Sequence, residues 1–273
     1  MSAALAVWLE GVGLLAPGLP NWAAAKAVLA GREAYVHAPT VIAPSDLLPA
    51  AERRRAGLPV KITLAAGQAA FADAGRDPGS AATVFSSSSG DGENLHRICE
   101  SLVSEEREIS PTRFHNSVHN APAGYWSIAV GAREASTSLC GHDASFAVGL
   151  IDAAAQAAAE NTTVALITSD QPYPEPLDSV RHIAASVGIA LVLTPQATPK
   201  SQARLLIELV PDDGQYSVLA EPRLEEVRLG VPAARGLPLL AAVAALQGGS
   251  ATVDLQYTGA LKLRVRVSPA EGA

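Results

Sequence analysis

The sequence predicts an α/β fold, with helices covering a mostly central sheet, on three grounds. Hydrophobic residues make up 48% of the 273 residues and charged residues 17%. That is enough apolar material for a sizeable core and too little charge for a disordered chain. Residues 164–168 and 189–193 are short unbroken apolar runs of the kind found at the centre of a sheet. Longer runs of helical length, residues 60–73 and the Ala-rich 139–159, are interspersed with the strand-like runs along the chain. Aromatic residues are 4%, so the core is expected to be Ala, Val and Leu packed between close layers.

In chain order, residues 5–9 read as a strand closed by Gly11, Gly13, Pro17 and Pro20. Asn21 then caps a helix over 22–29 that stops at Gly31. Residues 41–49 are extended or looped, and 50–55 form a short charged helical turn. The small and apolar residues of 60–73 fit a well-buried helix ended by Gly75. Residues 83–87 are a strand, and the turn at 90–92 leads into a helix from 94 to about 105. Beyond 200 the character changes: 203–210, 217–220, 251–255 and 261–267 read as strands, and 237–246 reads as the helix among them. In 261–267, Lys262, Arg264 and Arg266 alternate with Leu and Val, which predicts a strand with one wet face.

Charge and cysteine usage exclude several functions. Lys+Arg 20 against Asp+Glu 27 leaves −7, and an acidic chain with no basic block is not built for non-specific nucleic-acid binding. Cys99 and Cys140 are too few for a disulfide framework, and no Cys/His spacing reads as a zinc module. The apolar start at 3–9 is short and runs into Glu10, and 237–246 is too short to cross a bilayer and contains Pro238. A soluble cytoplasmic protein without membrane insertion is expected.

Four patterns carry candidate chemistry. Gly11, Gly13 and Ala16 follow a strand with Glu33 about twenty residues on, as a dinucleotide fingerprint asks. Pro17, Gly18 and Pro20 delay the helix, however, so a strand-to-loop turn is the better reading. The serines at 86–89 before Gly90 and Gly92 offer hydroxyls and amides to an anion but lack the phosphate-loop lysine, which favours a tight strand-to-helix connection. His115 and His119, four apart, would share a helical face as metal ligands. Asn116, Asn120 and Pro122 around them point instead to loop hydrogen bonding, and no metal is expected. Cys140 stands at a strand-to-helix junction, where a helix dipole would favour its thiolate. Against a nucleophile stands a small packed residue, because cysteine catalysis needs a base in space and His142 and Asp143 do not fold back onto their neighbour.

Residues 6–18, with Trp22 and residues 29–32, resemble the N-terminus of β-ketoacyl synthases, whose similar glycine turn binds no nucleotide. Residues 61–75 look like the helix that follows, 116–129 the segment ahead of the ketosynthase nucleophile, and Thr137-Ser138-Leu139-Cys140 with Ala147-Val148-Gly149 the nucleophile elbow. The resemblance covers about residues 5–195 and implies a thiolase-like layered α/β fold with a truncated second half. Residues 1–195 would form the ketosynthase-like half and 196–273 a reduced half packed on it, within one structural domain. The departures are as informative. A decarboxylating ketosynthase uses two histidines beyond its cysteine, whereas here only His142 and His182 follow Cys140, and neither lies in the family's histidine motifs. The glycine-rich oxyanion segment is missing, with Gly259 a poor stand-in. If Gly149 is aligned with the family's helix glycine, Gly141 falls on the nucleophile position.

Together these resemble the chain-length-factor partners of type II polyketide synthases, and more closely the short ketosynthase-like proteins of aryl-polyene and xanthomonadin-type pigment clusters. The resemblance implies a non-catalytic subunit without cofactor. Such a subunit pairs with an active ketosynthase as a heterodimer and meets acyl carrier protein indirectly; a homodimer is the form open to the isolated chain. His115, Asn116, His119, Asn120, Tyr125, Cys140, His142 and Phe146 are its candidate tunnel or interface residues. The alternative is a minimal acyltransferase or thioesterase using Cys140 with His119 as partner.

Overall fold

The computed structural model describes residues 4–270; Ala3, at the apolar start, and residues 271–273 of the C-terminal segment lie outside them. The strands are β1 (Leu5–Leu15), β2 (Ala82–Ser86), β3 (Ser136–Leu139), β4 (Val164–Asp170), β5 (Val187–Thr194), β6 (Ala203–Pro211), β7 (Ala251–Gln256) and β8 (Leu261–Ser268). They form one sheet in the order β3-β2-β4-β5-β1-β6-β8-β7, parallel where β2 meets β3 and β4 and antiparallel elsewhere. The helices are α1 (Trp22–Leu29), α2 (Ala50–Arg55), α3 (Leu58–Ala74), α4 (Gly92–Val103), α5 (Pro111–His115), α6 (Ala121–Val130), α7 (Ser145–Glu160), α8 (Leu177–Val180), α9 (Pro222–Gly230) and α10 (Leu237–Ala244).

The sheet is the middle of three layers, as alternation along its central strands requires. On β4, Val164 and Leu166 face the core under α7, while Ala165 and Ile167 face the core under α3. β5 alternates likewise, with Ile189, Leu191 and Leu193 on the α7 side and Ala190 and Val192 on the α3 side. Both strands are buried on both faces, which is why they read as continuous apolar runs. On α7, Ala153, Ala154 and Ala157 are fully buried and bring that helix close to the sheet.

Gly11 and Gly13 close no turn; they lie inside β1, which runs on to Leu15. A bulge between Leu9 and Gly11 shifts the register, so Val7 and Leu9 before it and Val12 and Leu14 after it all face the α7 side. The two glycines then point at α3, where a Cβ would run into the carbonyls of Ala70 and Ala66. Glycine is needed here for close helix–sheet approach, not for a turn. Glu10, 1% exposed beside the bulge, accepts from the Arg76 guanidinium through both oxygens and from the Thr198 hydroxyl. Burial works to raise its carboxyl, but Arg76 and Thr198 prevail and hold it below the usual range.

Residues from 203 onward continue the same sheet. β6 pairs with the Leu5–Leu9 edge of β1, and β8 and β7 extend it antiparallel, with α9 and α10 covering one face. Three expectations change here. Residues 217–220 form no strand; Ser217 N donates to Asp254 O at 2.8 Å, but no ladder follows. Lys262 is not on a wet face, because its ammonium is buried 2.7 Å from both Asp213 and Asp254. The helix expected to begin at 139 begins at Ser145, since Ser136–Leu139 pairs with β2 as a strand. No helix among the described residues is long and apolar enough to cross a membrane.

Candidate functional site

β2, β3 and β4 run parallel, so their C-terminal ends deliver three connections to one side of the sheet, the place where α/β proteins build their sites. The anchor there is Asp170, the last residue of β4, 1% exposed. Its Oδ1 accepts from Ser88 N at 2.8 Å, Ser88 Oγ at 2.7 Å and Ser87 Oγ at 3.3 Å, and its Oδ2 from Ala233 N at 2.8 Å. Burial pushes its carboxyl up to about 6, against the pull of these hydrogen bonds. Gln171 Nε2 donates to Gly90 O at 2.7 Å. The serine-rich loop is therefore a strand-to-helix connection locked to a carboxylate. Its donors at 87 and 88 are taken by Asp170, whose charge repels the anion that the loop's composition suggested.

Cys140 follows β3 and is exposed. Its Sγ donates to Ser88 O at 3.1 Å, so the thiol rests on the loop that Asp170 holds. Gly141 N donates to Ser145 Oγ at 3.0 Å, and a 3-10 turn at His142–Ala144 intervenes before α7. Cys140 is thus not at a helix N-terminus, and the dipole argument for its thiolate does not apply. His142, with φ 53°, is held against Arg181, whose Nη2 donates to Asp143 at 2.9 Å. Phe146 is fully buried in the core under α7.

The 115–125 segment divides between α5, a turn and α6. His115 ends α5 and His119 lies in the turn, so their spacing of four does not put them on one helical face. His119 lies beside Gly90 in a small pocket shared with Ser87, Asp91, Asn116 and Ser169, and no hydrogen bond joins it to Cys140. Asn116 is buried and takes the Tyr125 hydroxyl at 3.1 Å while its Nδ2 donates to Arg55 O at 2.9 Å. Burial raises the Tyr125 hydroxyl above its ordinary value, with the Asn116 bond opposing. His115 stands edge-on to Tyr125 at 6.3 Å. Asn120 caps α6 with its backbone only, Gly124 N donating to its carbonyl at 3.1 Å.

Asn116 also borders a cleft of about 650 Å³ lined by Arg54, Arg55, Arg113, Asp91 and Tyr173. Neither this cleft nor the role of Asp170 was assigned from the sequence; the available signal was a carboxylate closing the strand that opens with the apolar run at 164–167. Beyond the segment lies a second feature. β3 is the end strand of the sheet, with one edge unpaired among the described residues, and α6 packs next to it. Phe114, Val118 and Ile128, exposed at 69%, 53% and 53%, line a groove of about 500 Å³ with Tyr125.

Residues 21–225 match the model of the family described as beta-ketoacyl synthase, N-terminal domain. No curated protein sequence matches. Among solved structures, the chain is similar to one from the ketosynthase ApeO in complex with its chain length factor ApeC from Xenorhabdus doucetiae, with TM-score 0.71 and 20% identity over 97% of this chain and 99% of that one. A chain of the ishigamide ketosynthase/chain length factor gives TM-score 0.73 and 15% identity over 97% and 99%. A chain of AntDE:AntF, a type II PKS acyl-carrier protein in complex with its ketosynthase, gives TM-score 0.73 and 12% identity over 98% and 100%. At these identities the structural likeness shows the thiolase-like fold.

Proposed function

The chain belongs to the β-ketoacyl synthase N-terminal-domain family, and from that premise we propose that it serves as a non-catalytic, chain-length-factor-type subunit of an active ketosynthase. The observation that carries this reading is the setting of Cys140. Its thiol donates to the Ser88 carbonyl, a partner that takes no proton from it, so nothing in contact activates it as a nucleophile. The histidines beyond it are otherwise engaged, His142 with Arg181 and His182 with Asp178 at 2.9 Å. The unpaired edge of β3, beside Phe114, Val118 and Ile128, supports pairing: an open strand edge next to exposed apolar side chains suits a second chain. We place the heterodimer in aryl-polyene or related type II polyketide assembly in the cytoplasm, with the carrier protein engaged through the catalytic partner. The exposure of Cys140 is what favours the other reading, an acyltransferase or thioesterase acting through this thiol.

Co-expression with a ketosynthase and carrier protein, followed by product analysis for the parent and Cys140→Ala, separates the two. A stable heterodimer with equal product from both chains is expected. A variant that assembles normally yet makes no product would overturn the non-catalytic assignment.

A further inference from the structure

On the α3 side lies a pocket of about 420 Å³ that the subunit role does not use. It forms because the chain ahead of α2 is pinned on both sides of a short arch. On one side Gly18 N donates to Ala38 O at 2.8 Å and Thr40 Oγ1 to Ser186 O at 2.6 Å; on the other Leu48 is buried. Residues 42–45 span the gap, and Ile42, Leu48, Ala56 and Leu64 supply apolar walls. Two cations complete the lining. Arg53, in the last turn of α2, pairs with Asp46 at 2.7 Å in an exposed setting, a contact easily exchanged. Lys61, in the first turns of α3, has no ion-pair partner among the described residues.

Apolar walls beside unneutralised positive charge suit a ligand with a hydrocarbon tail and an anionic head. We propose that this pocket binds a free medium-chain fatty acid, its tail under the arch and its carboxylate on Lys61, with Arg53 exchanging Asp46 for the ligand. The inference does not depend on the subunit role, since the pocket is built by this chain alone.

Calorimetric titration of the purified full chain with saturated acids of increasing length, below their micelle concentrations, tests it. One-site binding is expected to tighten about fourfold per added methylene and to level off once the pocket is full. Decanol should bind at least tenfold more weakly than decanoate, and Lys61→Glu should weaken decanoate at least tenfold. Lys61→Arg should retain binding. Ala43→Trp, which fills the pocket from an exposed position on the arch, should abolish it, and thermal melts of both loss variants should match the parent. The proposal is overturned by absence of saturable decanoate binding at millimolar concentration. Equal affinity for decanol, or unaltered binding by Lys61→Glu and Ala43→Trp, overturns it as well.

Discussion

Replacing Asp170 with Asn removes one buried ionisation and leaves the rest of the titration in place. Asp170 carries a carboxyl raised from the ordinary 3.8 to about 6. For an acid with a raised folded-state value, the folded chain holds the proton more tightly than the unfolded chain. The associated stability is fully present below pH 3.8 and is lost as pH rises through about 6. The rise from 3.8 to about 6 is worth about 3 kcal/mol, with Asp170 almost wholly buried, so no discount for screening applies. Asparagine cannot ionise, and its amide would meet the Ala233 N–H donor to donor, a constant cost of about 1–3 kcal/mol. Urea unfolding at half-unit steps from pH 4 to 8 reads both. The advantage of the parent over Asp170→Asn should shrink by about 2.4 kcal/mol between pH 4 and 7, the rest of the roughly 3 kcal/mol being lost already below pH 4, because the parent alone pays for a buried charge. A difference that stays constant with pH would refute the assignment of that ionisation to Asp170.

The remaining predictions concern packing and pairing. Gly13→Ala places a methyl group against the Ala66 carbonyl and within 2.9 Å of Ala70 N, so α3 must move off the sheet; a loss of about 1–3 kcal/mol is expected in a denaturant titration. Phe114→Glu and Ile128→Glu, at exposed positions, should leave the monomer's stability within about 0.5 kcal/mol. Each should weaken capture of a partner ketosynthase on gel filtration by about thirtyfold or more, and unchanged assembly would move the pairing face elsewhere.

What the sequence makes legible is local. Asn21 was recognisable as a cap, and its Oδ1 accepts from Ala24 N at 2.9 Å. β4, β5 and α3 were readable because burial on both faces, or along a whole helix, writes itself into neighbouring residues. β3 was implied only by the strand-to-helix junction at Cys140 and was given no bounds, because its Ser-Thr-Ser-Leu sequence, that of a half-exposed end strand, has no apolar alternation; the elements missed for physical reasons are helical. α5, α6 and α9 carry prolines that look like helix breakers but stand in the first turn, where the proline's missing N–H costs nothing. The glycines of β1 looked like a turn because the requirement they meet, the backbone of α3, lies more than fifty residues away in the chain.

The same distinction explains why the candidate site was harder to read than the fold. Asp170 gathers donors from the 87–88 loop and from Ala233, and Cys140 leans on that loop from a third segment. None of these relations has a sequence spacing. Their convergence follows from topology, because three parallel strands end on one side of the sheet. In a catalytic version of such an end, loop donors point into open space where charge develops on a substrate. Here the 87–88 donors turn inward to a buried carboxylate and the thiol turns to a carbonyl, while the buried Ser86 Oγ, Thr168 Oγ1 and Gln171 Oε1 find no hydrogen-bond partner among the described residues. Ser88 bonds both Asp170 and Cys140, so it ties the ends of β2 and β4 to the residue that follows β3. The proposed pairing is therefore to be sought at the neighbouring strand edge, where Phe114, Val118 and Ile128 are exposed.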